Sequence, residues 1–150
     1  MRVALDSNVI IYAEGVEDPD KRDVALQLAS TLKKPNLVVP VQVLGETLFW
    51  LVEKGKRNRA DAMKRISEWI DQSEVQITND LVFNGALELF EKHQFQVWDA
   101  VILSAAAVAK ASILLSEDMQ DGFNWRGVTI RNPFALKPSP EVQKLLRRNP

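Results

Sequence analysis

Apolar positions along this chain alternate between two rhythms. Short unbroken runs such as "VALD" after Arg2, "NLVVP" (36–40), "EVQI" (74–77), "ASILLS" (111–116) and "GVTIRNP" (127–133) are separated by longer stretches in which apolar residues recur every three or four positions. Continuous β-branched runs fit strands covered on both faces, and the three-to-four spacing fits amphipathic helices. Asp18 before Pro19 is a helix N-cap followed by proline at the first helical position, and Val24, Leu28 and Leu32 keep that helix's apolar stripe until Pro35 stops it. "VQVLGETLFWLVEKGK" is a helix ended by Gly55. "RADAMKRISEWIDQ", with Ala62, Ile66, Trp69 and Ile70, is another, and "TNDLVFNGALELFEKH" begins with cap residues and continues as helix. "NVIIYAEG" supplies one or two helical turns up to Gly15. Strands alternating with helices predict an α/β domain on a parallel sheet of four to five strands.

One helical stretch raises a question. In "FQVWDAVILSAAAVAK" (95–110), Asp99 is the only charged residue before the closing Lys110. A carboxylate in so apolar a setting must find a partner, take up a proton or bind a cation. Open α/β sheets gather ligands at the carboxyl ends of their strands. Asp6 closes the first strand, and Asp118 follows the fourth in "LLSEDMQDG", with Asp121 three residues on. Glu46 lies one to two turns into the helix after the second strand, and Asp99 near the start of the helix leading to the fourth. Parallel pairing brings acids far apart in sequence to one sheet edge. There they repel one another unless a hard divalent cation such as Mg²⁺ or Mn²⁺ sits among them. Such a cation activates water and stabilises charge on a phosphodiester.

Composition narrows the remaining chemistry. The 150 residues contain no cysteine and one histidine, which excludes disulfides and thiolate metal sites. The net charge of −1 argues against a general nucleic-acid binder while allowing a local basic surface. No run reaches the length of a membrane helix, and Asp6 and Asn8 interrupt the early apolar stretch too soon for a signal peptide, so the cytoplasm is expected.

The order and spacing of "VALDSNVIIY", "ETLFWL", "WDAVILSAA" and "LLSEDMQDG" resemble a PIN domain from Arg2 to about Phe134. The resemblance implies a three-layer α/β/α fold and a metal-dependent endoribonuclease similar to VapC-type toxins. Its implied partners are RNA, a small antitoxin protein and a second copy of the chain. Asp6, Glu46, Asp99 and Asp118 match the metal-binding acids, Asp121 an occasional fifth, and Glu117 competes less well for the fourth place because the small-x-Asp order of "SED" favours Asp118. Ser7 and Asn8 are placed to position a water or a phosphate oxygen. On this reading residues 1–134 form the nuclease domain and 135–150 a C-terminal tail.

Rival readings remain in view. Asp6 also suits a helix cap, Asp118 and Asp121 suit turn residues, and Asp99 suits a helix N-terminus. A haloacid-dehalogenase-like phosphatase wants a second Asp where Asn8 stands, and a receiver domain wants acids and a lysine that the third and fifth strands do not supply. A PIN-like module that binds RNA or protein without cutting it is the alternative that keeps every acid. His93 is expected as a surface residue at a helix end, Trp98 as a packing residue, and "LFWL" (48–51) chiefly as core with some residues facing a partner. "KGKRNR" (54–59) and "KLLRR" (144–148) are either solvated or in contact with RNA backbone.

Overall fold

A computed structural model describes residues 1–147. Its elements in chain order are β1 (Val3–Leu5), α1 (Ser7–Ala13), α2 (Pro19–Thr31), β2 (Leu37–Pro40), α3 (Val41–Glu53), α4 (Arg59–Gln72) and β3 (Glu74–Gln76). There follow α5 (Asp80–His93), α6 (Val97–Val108), β4 (Ile113–Leu115), β5 (Asn124–Trp125), β6 (Val128–Arg131) and α7 (Pro140–Arg147). The strand order is β3-β2-β1-β4-β6-β5, giving the expected α/β/α layering around a mostly parallel sheet. β1 lies at its centre, with Val3 opposite both Leu37 and Ile113. Val3, Ala4 and Leu5 are all buried, which is why this strand reads as an unbroken apolar run.

The sheet has one strand more than the four to five expected. β5 is two residues long and antiparallel to β6, closed by Arg126 and Gly127, both at positive φ. Two such residues make the turn whose twist suits a tight hairpin. Arginine is an uncommon first residue there, so the turn escapes sequence reading. The Arg126 guanidinium lies 4.3 Å from the Trp125 ring centroid, and Asn124 Nδ2 donates to Thr129 Oγ1 at 2.8 Å.

Side-chain caps set most helix starts. Asp18, Asn58 and Asn79 accept from the N–H groups of Asp20, Asp61 and Val82 at the starts of α2, α4 and α5. α5 ends with Gln94 in the left-handed conformation, and the Gln96 side chain then accepts from both Trp98 and Asp99 N–H groups to open α6. α5 and α6 approach closely because Gly85 has no side chain; a Cβ there would collide with Ser104 Oγ, which donates to Val82 O at 2.6 Å. That contact fixes α6, and with it Asp99, against the domain. The segment after Phe134 ends in α7, which buries Val142 and Leu145 and docks on α2, where Gln27 Nε2 donates to Leu146 O. Arg148 of "KLLRR" lies outside the described residues.

Of "LFWL", only Leu51 is fully buried. Leu48 and Phe49 are exposed and Trp50 is half-buried, so core packing accounts for less of this run than expected. Four bulky residues in succession point to four directions around a helix, and α3 has only one face against the domain.

Candidate functional site

The carboxyl ends of β1, β2 and β4 are where the acids meet. Asp6 is both readings at once: it caps α1, accepting from Ser7 N–H at 2.7 Å, and it stands in the acidic group. Its second oxygen accepts from Ser116 Oγ at 2.7 Å and from Asn8 Nδ2 at 3.3 Å. Asn8 Nδ2 also reaches Asp118 Oδ2 at 3.2 Å, so one amide ties the first acid to the fourth. Ser7 Oγ donates to Glu46 Oε2 at 2.8 Å, and Gln42 Nε2 to Glu46 Oε1 at 3.0 Å. Ser7 and Asn8 therefore hold the carboxylates in place. Ser116 does the same, though it entered the sequence reading only as a small residue before the acids.

Asp99 sits half-buried in the first turn of α6, and with Asp118 it lines a cavity of about 220 Å³. Burial, then Glu46 and Asp118, push its carboxyl up from the usual range. Asp6, 4% exposed, is pushed up to about 6 by burial; the Ser116 and Ser7 hydrogen bonds oppose the shift, and Asp99 and Glu46 add to it. The four acids thus share one electrostatic environment.

Two acids turn elsewhere. Glu117 accepts from Tyr12 Oη at 2.7 Å and pairs with Lys21 Nζ at 2.6 Å, facing α1 and α2 rather than the cluster. Asp121 accepts from Asn132 N–H at 3.2 Å and stands 3.9 Å from Arg131 Nη1, at the end of β6. His93 is exposed at the end of α5, its ring edge-on to Phe123 at 5.4 Å. Trp98 is 50% exposed, contrary to the packing role expected from its apolar neighbours. It falls on the outer side of the first turn of α6, before the helix reaches its buried stretch from Ala100.

The donor set suits a hard cation in kind: oxygen ligands only, with two carboxyls, Asp6 and Asp99, whose proton affinity is raised by burial and by neighbouring carboxylates. Among the described residues no three acidic or histidine side chains already stand close enough together to hold an ion. Asp99 and Asp118 line one cavity, whereas Glu46 lines another with Val41, Gln42, Gly45, Phe49 and Trp50.

Raised carboxyls give a signed pH dependence. An acid whose folded pKa exceeds its unfolded value destabilises the fold when ionised, and the cost disappears as pH falls through the folded value toward the unfolded one. For Asp6, a shift from 3.8 to about 6 corresponds to about 3 kcal/mol at neutral pH, at about 1.4 kcal/mol per unit. Metal-free protein is expected to melt at higher temperature as pH falls from 7.5 toward 5, a trend that thermal denaturation in chelator reads directly.

A mostly parallel α/β sheet with carboxylates from four separate segments at its carboxyl edge defines an acidic-site α/β domain. The PIN domain family model matches residues 3–121, and the chain belongs to that family. Solved structures share the fold at low identity. A toxin–antitoxin complex from Klebsiella pneumoniae is 14% identical with a TM-score of 0.64, the match covering 85% of this chain and 95% of that one. VapBC2 from Rickettsia felis, bound to a DNA fragment from its promoter, is 15% identical at 0.62, covering 88% and 98%. Mycobacterium tuberculosis VapC20, described as a sarcin–ricin loop cleaving toxin, is 16% identical at 0.61, covering 75% and 86%. A comparison with curated proteins found no match.

Proposed function

We propose that this protein is a divalent-metal-dependent endoribonuclease, acting as the toxin of a toxin–antitoxin pair in the cytoplasm. The observation that carries the reading is the approach of Asp6, Glu46, Asp99 and Asp118 from four separate segments, close enough that Asp99 and Glu46 add to the upward shift of Asp6, and Glu46 and Asp118 to that of Asp99. Asp6, Asp99 and Asp118 would hold Mg²⁺ or Mn²⁺, with Glu46 as a further ligand or as the base beside it. Such an ion, when bound, lowers the pKa of water and offsets charge on the phosphodiester. The chain's own contribution is orientation. Ser7 and Gln42 aim Glu46, Asn8 spans Asp6 and Asp118, and Ser116 fixes Asp6. Asp121, paired with Arg131, stays outside this set.

Two partners belong to the proposal. The similar toxin–antitoxin complexes support a small antitoxin protein. Phe83, Leu87 and Phe90 leave α5 with an exposed apolar face, which supports a homodimer that light scattering would detect. Incubating the purified protein with a mixed structured RNA pool tests the activity. Cleavage in Mn²⁺ that stops on adding chelator is expected. Absence of cleavage under every metal condition favours a module that binds RNA or protein without cutting it.

A further inference from the structure

The cavity that holds Asp99 and Asp118 extends beyond them. His93, Gln94, Phe95 and Gln96 from the α5–α6 turn line one side, and Met119 and Gln120 from the loop after β4 line the other. Asp99 and Asp118 are its charged members, and its lining includes no lysine or arginine, so away from the acids it offers nothing that favours a phosphate. It offers instead flat rings and neutral amides. His93 meets the Phe123 ring edge-on at 5.4 Å between centroids and Phe95 meets it at a tilt at 5.1 Å, which holds two aromatic rings in the lining. Gln96 has its Oε1 held by the Trp98 and Asp99 N–H groups, so the group it can turn to the cavity is its NH₂ donor. Gln94 and Gln120 are exposed and carry both donor and acceptor. Rings for stacking with amides at their edge are the chemistry that recognises an unpaired nucleobase.

We infer that this cavity is a base-binding subsite, taking one nucleobase of single-stranded RNA beside the phosphate that the acids would act on. The inference rests on the proposed nuclease reading for its position along the substrate. His93 supplies a stacking face and Gln120 an edge contact. Both bind and select rather than take part in the reaction.

The test uses the intact protein and the four homopolymeric RNA pentamers, fluorescein-labelled, with anisotropy read in Ca²⁺. Wild-type protein is expected to bind at least one pentamer. The variant His93→Ala with Gln120→Ala is expected to weaken that binding about tenfold, as loss of a stacking ring does. The variant His93→Phe with Gln120 intact should restore most of it. Melting temperature and Mn²⁺ affinity should match wild type in both variants. No binding by wild type, or unchanged binding by the double variant, overturns the inference, as does a loss accompanied by an equal loss of Mn²⁺ affinity. Cleavage patterns on the mixed RNA pool separate the two claims. Cleavage whose base preference survives the double variant leaves the nuclease standing and removes the subsite. Binding through His93 without cleavage does the reverse.

Discussion

Asp99→Asn is expected to lower RNA cleavage by at least about a hundredfold, the scale on which removing one group that stabilises developing charge acts. The change keeps the shape of the side chain and removes its charge. Asp99 is half-buried, with Glu46 and Asp118 pushing its carboxyl upward, so the neutral amide costs the fold little and relieves repulsion. Steady-state cleavage rates and thermal melts, measured together, should show an inactive protein that is at least as stable as wild type without metal. Equal cleavage by the two proteins would make Asp99 a structural residue only.

The largest stability effect is expected away from the acids. Glu14, at the C-terminal end of α1, is buried yet charged: it accepts from Arg65 Nε and Nη2 at 2.9 Å each, Arg57 Nη1 at 3.1 Å and Trp69 Nε1 at 2.8 Å. Arg57 Nη2 also donates to Glu14 O. Burial alone would raise this carboxyl, but the Arg65, Trp69 and Arg57 hydrogen bonds outweigh it and hold it below its usual value. The network joins α1 to α4 and to the turn before it. Removing both cations with Arg57→Ala and Arg65→Ala leaves a buried carboxylate with only the indole, at an expected cost of about 3 kcal/mol in urea denaturation. With the cations gone, burial dominates and raises this carboxyl, so the gap between wild type and variant should narrow as pH falls and the unpaired Glu14 of the variant takes up a proton.

The contrast between these two carboxylates explains what the sequence revealed. Asp6 and Asp118 follow strands, Asp99 opens an apolar helix and Glu46 lies one to two turns into another, and a parallel sheet dictates where such positions go. Layering and strand count followed from the same rhythm, except β5, whose turn uses an arginine at positive φ. Glu14 has no local signature. Its partners lie 43, 51 and 55 residues away, and Arg57 belongs to a lysine- and arginine-rich loop that reads as solvent-facing or RNA-binding until the fold brings it to α1. Trp98 and "LFWL" failed for a related reason: hydrophobic residues near a helix start, or in unbroken succession, do not reveal which of them the neighbouring elements cover. His93 reads as a surface residue and is one, and only the fold places it on the wall of the cavity that also holds two acids.

Calorimetric titration of Mn²⁺ into wild-type protein and into Asp99→Asn, repeated in buffers of different ionisation enthalpy near pH 6, tests the central claim most directly. Asp6 holds its proton up to about 6 and Asp99 is shifted in the same direction, so an ion bound among them must displace protons. The account predicts saturable binding by wild type with proton release, and binding weakened at least about tenfold in the variant. Equal binding by both proteins, or none by wild type, would contradict a metal site built from these acids.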